Sequence, residues 1–495
     1  MTRLDSGLAG LTAAGAGLAA GQVLGALVAP GSAPLVAVGS AVIDLAPPAL
    51  KEWAASTLGT ADKAVLVAVV ALAVGVLGVL AGLGSRRWRP LGDLTAALLG
   101  ATGIAAALTR PDAGPLAFLP SLAAALVAAG ILRWHHRRAS TLSHPPDHAG
   151  PDRRLVLTAG AGVAAAAVTA TFSGAGGRPP AGVTLPSAAT PAPPLPAGLE
   201  STVAGVTPLR TPVKDFYRID TALLVPQLDP GAWRLDVTGM VARPFSLSWD
   251  ELLALPMIER DITLTCVSNE IGGPYCGSTR WTGVRVADLL ARAQPSPGAD
   301  QVLSASTDGF TASTPLAVLL DGRDAMVAIA MDGRPLTPEH GFPARLVTPG
   351  LYGYVGATKW LTRLTVTTFA AEQAYWTTRG WAEQAPVKTA TRIDTPTGRI
   401  LAGATVVAGV AWATHRGVSR VQVQVDGGPW QDARLGPDVG LDYWRQWYLP
   451  WNATSGRHRL AARAFDGSGV PQPAAVQGVL PDGPTGYHVV DIEVA

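Results

Sequence analysis

From Gly7 to Phe172 the chain runs in long apolar blocks, and beyond Pro212 apolar and polar residues alternate over short stretches. The blocks give five candidate membrane spans: Gly7 to Val28, Ala64 to Leu83, Leu94 to Thr109, Leu116 to Leu132 and Leu155 to Phe172. A helix needs roughly 20 apolar residues to cross a bilayer, so the third and fourth call for tilt or interfacial extension. Ala33 to Ala54 is apolar only in patches and carries Asp44, a Pro47-Pro48 pair and Lys51. That pattern predicts a loop lying on the membrane surface.

Gly174 to Pro208 is dense in Pro, Ala, Gly and Thr, as in TLPSAATPAPPLPAG. Such a segment buries too little apolar surface to fold and predicts an extended tether. Strands dominate after it. WRLDVTG alternates and stops at glycine, and VAIAMDGRPL predicts a hairpin turning at Asp332-Gly333. SWDELLAL predicts a short helix with Ser248 as N-cap and Glu251 closing a capping box, and RVADLLARA a second. After Gln384 only strands and turns follow: TVVAGVAWATH, VSRVQVQVDGG, WRQWYLPW and HRLAARAFDGSG. The expected architecture is multi-domain: an all-α transmembrane region of about five helices over 1–173 and a linker over 174–208. An α+β domain over 209–383 and an Ig-like β-sandwich over 384–495 follow.

Composition agrees with this division. With 15% charged residues, 48% hydrophobic and a mean hydropathy of +0.26, the 495 residues are poor in charge for a wholly soluble protein. No basic run is interleaved with aromatics, so nucleic acid is not an expected partner. Basic residues near the span ends set orientation. Arg3, Arg86, Arg87, Arg89, Arg133, Arg137, Arg138, Arg153 and Arg154 fall on one side; Lys51, Lys63 and Arg110 fall on the other. The globular part is therefore expected outside the cytoplasm of a multi-pass membrane protein. Arg153-Arg154-Leu155-Val156-Leu157 reads either as a twin-arginine export signal or as ordinary positive-inside charge. No histidine falls within a predicted span and no C-x-x-C-H occurs, so neither membrane haem nor covalent haem is expected. The spans read as an anchor.

The chemistry centres on Cys266 in ITLTCVSNEIGG, where a strand gives way to a glycine-ended loop. The only other cysteine, Cys276, lies ten residues on. Three readings stay open on the residues alone: a disulfide, a buried apolar thiol, or a thiolate metal ligand. One cysteine cannot build a zinc or iron–sulfur site, so a metal cofactor would have to bring most of its own ligands.

TLTCVSNEIGG followed by STRWTGVRVADLL, and then HGFPARLVTPGLYGYVGATKWLTRL, resemble the signatures of the sulfite oxidase family of molybdopterin-dependent oxidoreductases. The resemblance covers roughly Thr211 to Ala495. It implies that Cys266 ligates molybdenum and that His340, Arg345 and Lys359 hold the pterin, with Ala357 and Thr358 joining through the main chain. Asp308 is a further pterin candidate. Arg218 in DFYRID lines up with an arginine near the metal, and Asn269 lies close enough to shape the pocket. Trp281 is core or pocket wall, and Cys276 has no matching role. The family's CAGNRR-like run is here CVSNEI, with Glu270 and Ile271 where arginines stand, and its tyrosine near the metal falls closest to Thr378, with Tyr375 nearby. A pocket that loses cations should hold a sulfite dianion less well.

The resemblance implies an enzyme carrying a molybdenum–molybdopterin cofactor; neither a haem nor a cluster motif is encoded, so neither haem nor Fe–S is expected. It would move an oxo group to or from a small substrate and pass electrons to an external carrier, a quinone or a cytochrome. It also implies a homodimer through the closing sandwich. A reductase of methionine sulfoxide in proteins is an alternative within the family. A non-enzymatic binding protein that uses the Ig-like module is an alternative outside it.

Overall fold

A computed structural model describes residues 3–58, 61–110, 113–141 and 182–495. The fifth candidate span and Arg153-Arg154 lie outside the described residues. The chain divides into two compact units: Met1–Gly177 with Asp220–Pro226, and Arg178–Ile219 with Gln227–Ala495.

The first unit is helical: α1 (Arg3–Val28), α2 (Pro34–Leu45), α3 (Pro48–Leu58), α4 (Asp62–Gly84), α5 (Pro90–Leu108) and α6 (Leu119–Thr141). Three of these, α1, α4 and α5, are long and apolar enough to cross a membrane. The last third of α6 is polar from Arg133 onward. Ala33 to Ala54 is helical rather than a surface loop. Pro34 and Pro48 stand at the first helical position, where a missing N–H costs nothing. Asp44 pairs with Arg110 at 2.5 Å, and Leu35, Val36 and Ala37 are buried. The helices pack through small residues, as membrane helices do. A Cβ at Gly10 would lie 2.0 Å from the Gly78 carbonyl oxygen, and one at Gly17 would lie 2.6 Å from that of Ala124. Gly7 meets Leu83, and Gly92 meets Leu132, so α1 runs against α4 and α5 against α6. These contacts bring Arg3, Arg86, Arg87, Arg89, Arg133 and Arg137 to one end of the bundle, with Lys63 and Arg110 at the other.

The second unit begins with strands β1 (Arg234–Gly239), β2 (Phe245–Ser248), β3 (Ile258–Thr265), β4 (Cys276–Arg285), β5 (Gln301–Ser306), β6 (Thr311–Pro315), β7 (Met326–Met331), β8 (Arg334–Pro335), β9 (Arg345–Val347) and β10 (Leu361–Thr367). They form two sheets, β2-β1-β10-β5-β6 and β3-β4-β7-β8, the latter with β9 paired to β7. Leu235, Val237, Val284, Val302, Val327, Ile329, Leu346 and Leu364 pack together as one core drawn from both sheets. The expected details are present. Ser248 and Glu251 close the capping box on the helix Trp249–Leu253. Asp332 and Gly333 take positive φ between β7 and β8.

Strands β11 (Ala390–Thr395), β12 (Arg399–Ile400), β13 (Gly403–Trp412), β14 (Val418–Val425), β15 (Gln431–Asp432), β16 (Arg434–Leu435), β17 (Arg445–Ala453), β18 (Gly456–Asp466) and β19 (His488–Val494) complete the unit. Their sheets, β11-β13-β17-β16 and β12-β19-β18-β14-β15, share a core that includes Val407, Val421, Trp447, Leu460 and Ile492. A further cluster joins this sandwich to the α+β part through Val267, Cys276, Tyr352, Trp412 and Trp444.

The Pro-rich stretch from Gly182 to Pro208 is no free tether. The Thr190 N–H donates to the Met257 carbonyl at 3.2 Å and the Glu259 N–H to the Thr190 carbonyl at 2.9 Å. The Leu199 N–H reaches the Gln446 side chain at 2.7 Å, and Val203 and Val206 are buried against Ala408. Proline lacks the donor for a full ladder, but the remaining amides find partners far along the chain.

Candidate active site

Strand β3 enters the core, with Ile262 and Leu264 buried among Phe216, Trp281 and Phe342. At its end the chain turns, and the next ten residues close on themselves before β4 begins. The Cys266 N–H donates to the Tyr275 carbonyl at 2.9 Å, and the Asn269 N–H to the Cys266 carbonyl at 3.1 Å. The Asn269 side-chain oxygen accepts from the Tyr275 N–H at 2.8 Å. Asn269 is buried and serves this loop closure. Elements of the sandwich hold the loop from outside. Arg392 on β11 donates to the Gly273 carbonyl at 2.9 Å, and His488 at the start of β19 lies against Gly272.

Both cysteines are buried free thiols, so the disulfide alternative does not hold. Burial pushes the Cys266 thiol up, while the Val267 and Ser268 N–H groups, the Ser268 hydroxyl and the Lys359 charge pull it back down. The sulfur thus sits out of water but faces donors and a cation suited to a thiolate. Cys276 lies across from Thr265, whose hydroxyl is 3.4 Å from its sulfur, and burial pushes its thiol up to about 11.

Three basic side chains, His340, Arg345 and Lys359, converge from the second block. His340 is buried, and its ring is pushed down to about 3 by burial and by the charges of Lys359, Arg345 and Arg218. It is therefore neutral near pH 7. Its Nε2 lies 3.1 Å from the Val213 carbonyl, which can only accept, so Nε2 carries the proton and Nδ1 is a bare acceptor. Nδ1 is buried without a hydrogen-bond partner among the described residues.

Arg345, at the start of β9, donates through its Nη atoms to the His340 carbonyl at 3.2 Å and the Ala357 carbonyl at 3.3 Å. Its Nε is buried and has no hydrogen-bond partner among the described residues. Its guanidinium lies 5.0 Å from the Trp281 ring, which makes Trp281 both core and site wall. Lys359 reaches the Glu339 carbonyl at 2.9 Å. Gly341, at φ 103°, lets this segment close: a Cβ there would come within 3.2 Å of both Lys359 and Arg345. Gly341 is a position where only glycine fits.

The other predicted residues are placed as follows. The Thr358 hydroxyl is hydrogen-bonded to Ser304 at 2.7 Å, and the Ala357 carbonyl accepts from Arg345. Asp308 accepts from the Phe310 N–H at 3.2 Å in the β5–β6 turn, which lies beside Trp360 through a Thr307 N–H to Trp360 carbonyl bond of 3.0 Å. Arg218 is partly exposed and forms no ion pair among the described residues; its charge reaches His340. Tyr375 stacks under Arg379 at 3.6 Å, and Thr378 bonds to the Tyr375 carbonyl. Glu270 is exposed, and with Ile271 and Gly272 it lines a cleft shared with Tyr352, Thr391 and Gln472.

Sequence reasoning missed Tyr217. Its side chain is partly buried, stacked at 5.3 Å on Phe216, and its phenol is held well above its ordinary range by desolvation and by Cys266. Its neighbour Arg218 was the available signal. Among the described residues no three His, Cys, Asp or Glu side chains gather into a metal cage. One buried thiol, one orphaned acceptor and one orphaned donor instead fit a polar heterocycle that carries its metal with it.

Residues 222–376 match the family described as "Oxidoreductase molybdopterin binding domain". This part of the chain is a molybdopterin-binding oxidoreductase domain. Rat mitochondrial sulfite oxidase is 29% identical over 331 residues, covering 55% of this chain and 59% of that protein. Nitrate reductase [NADH] 1 of Oryza sativa is 32% identical over 178 residues, covering 30% of this chain and 19% of its own. The Bacillus subtilis oxidoreductase YuiH is 37% identical over 133 residues, covering 27% and 64%. The domain is a member of the sulfite oxidase family of molybdenum-dependent oxidoreductases. The chain spans about three fifths of the length of the first curated relatives it matches.

Proposed function

We propose that this chain is a membrane-anchored oxidoreductase whose catalytic part faces away from the cytoplasm. It transfers an oxygen atom to or from a small substrate and exchanges electrons with an external carrier, a quinone or a cytochrome. The observation that carries the reading is the pair of orphaned buried atoms, His340 Nδ1 and Arg345 Nε, beside a buried thiol that faces Lys359. When bound, molybdenum–molybdopterin would supply the two-electron redox couple. Cys266 would ligate the metal, His340 would accept from the pterin, and Arg345 and Lys359 would donate to it. Tyr217 and Arg218 then border the substrate side, where a phenol and a partly exposed guanidinium can orient a polar oxygen.

The grouping of six arginines at one end of the helical unit supports the cytoplasmic placement of that end. We read the β-sandwich as an Ig-like module of the dimerisation type. The domain limits 1–173, 174–208, 209–383 and 384–495 stand as part of this proposal, with the linker packed over its latter part.

The test is metal and pterin analysis of membrane-extracted protein, wild type beside Cys266→Ser. About one molybdenum per chain, lost or spectroscopically altered in the variant, is expected. Wild type from a cofactor-competent host that holds no molybdenum overturns the reading. A second reading, reduction of a sulfoxide such as oxidised methionine, is favoured by Glu270 and Ile271 standing where the family carries anion-binding arginines. Turnover of a sulfoxide with a reduced viologen, without sulfite-dependent reduction of ferricyanide, would select it.

A further inference from the structure

A cleft of about 250 Å³ opens at the arginine-bearing end of the helical unit, between the start of α5 and the later turns of α6. Arg89, Asp93, Leu132, Arg133, His136 and Arg137 line it. Roughly eight waters would fill it, enough for a phosphodiester with part of its glycerol. Three guanidinium groups face one carboxylate. Arg133 lies 3.1 Å from both oxygens of Asp93, so among the described residues that line the cleft guanidinium groups outnumber carboxylates. His136 Nε2 is buried there with no partner among the described residues.

What surrounds the cleft separates a lipid from a free anion. Trp88 and Trp134 are 54% and 48% exposed near it, as amphipathic rings at headgroup level are. Leu94 and Leu98, one and two turns along α5, are 51% and 68% exposed, an apolar wall leading away from the charge. Free phosphate has no use for such a wall; acyl chains do. We propose that this cleft binds the headgroup of an anionic phospholipid, its phosphodiester among Arg89, Arg133 and Arg137 and its chains along Leu94 and Leu98. This site is independent of the cofactor site.

The experiment is native mass spectrometry of the full chain in detergent, titrated with phosphatidylglycerol or phosphatidylcholine. Wild type is expected to retain phosphatidylglycerol at least about fivefold better, and R89Q and R137Q each to lose about fivefold. R3Q removes the same charge at the same end but outside the cleft, and should retain the lipid as wild type does. Equal retention of the two lipids by wild type overturns the proposal without any variant. So does equal loss in all three variants, which would mean a diffuse surface potential. Displacement of bound phosphatidylglycerol by millimolar inorganic phosphate would make the cleft a free-anion site and overturn the lipid assignment.

Discussion

Replacing Arg345 with Met separates a structural arginine from one kept for a ligand. Arg345 is 5% exposed, makes no ion pair among the described residues, and is pushed by burial from the ordinary guanidinium range down to about 10. That shift corresponds to a penalty of about 3 kcal/mol for holding the charge there. Against it stand two hydrogen bonds to the His340 and Ala357 carbonyls, each contributing about 1.5–3 kcal/mol as bonds from a charged donor. The sum is small: between about zero and 3 kcal/mol in favour of arginine when no ligand is bound.

Methionine fills similar volume and removes both sides of that balance. Cofactor-free Arg345→Met should therefore melt within about 5 °C of cofactor-free wild type. Pterin binding should fall far more, because the orphaned Nε has no other partner to satisfy. Loss of one buried, charge-assisted bond costs about 3 kcal/mol, on the order of a hundredfold in affinity. The assays are a thermal melt of protein from a host that makes no cofactor and fluorescent pterin quantification from one that does. Wild-type pterin content in the variant would refute the reasoning. So would a cofactor-free melt lowered by more than about 10 °C.

Two further outcomes follow from the same site. His340 is held neutral, its ring pushed down to about 3 against an unfolded value of about 6.5, so the native state binds fewer protons below pH 6.5. Its contribution is intact above pH 6.5 and is lost as pH falls toward 3, at about 1.4 kcal/mol per unit. Between pH 7.5 and 5.0 cofactor-free wild type should lose about 2 kcal/mol more than His340→Gln in denaturant melts, and equal losses would sink the assignment. Cys276→Ser should keep molybdenum at the wild-type level by elemental analysis, because its sulfur lies against Thr265 and, unlike that of Cys266, is not under the charge of Lys359. Loss of metal in that variant would make Cys276 a second ligand.

Much of the second unit was legible because its signals are local. The capping box at Ser248 and Glu251, the turn at Asp332-Gly333 and the strand ending before Cys266 each depend on residues a few positions apart. The failures are long-range. Asp44, with Pro47-Pro48 and Lys51, suggested a surface loop, since its partner Arg110 lies 66 residues away. The Pro-rich segment read as a tether because its partners, Met257, Glu259 and Gln446, lie far downstream. The same divide runs through the site. Cys266, His340, Arg345 and Lys359 sit in ordered motifs. That Tyr217 would come near Cys266, or that Asn269 would serve the loop, depends on packing that no short motif encodes.

The loop after Cys266 is the clearest instance, since its outer wall comes from residues more than a hundred positions later. Gly272 sits at φ 79°, and a Cβ there would lie 2.2 Å from Nε2 of His488, whose other nitrogen accepts the Ile393 N–H at 2.9 Å. The ring is thus fixed by β11 and cannot swing away without leaving that amide unpaired. Gly272→Ala meets two costs, about 1 kcal/mol or more of backbone strain and a steric clash with the ring. His488→Ala alone removes the acceptor of a partly buried amide, about 1–3 kcal/mol. The double variant keeps the strain and the unpaired amide but has no clash. Its destabilisation should therefore be smaller than the sum of the singles by at least about 1 kcal/mol. Strict additivity in thermal melts would mean that His488 does not bear on the loop. If the coupling appears, Gly272→Ala should also alter the spectrum of the bound metal while metal content holds. A sandwich that merely joined subunits would leave that spectrum unchanged, because it would have no reason to press on the turn that carries Cys266, the proposed ligand.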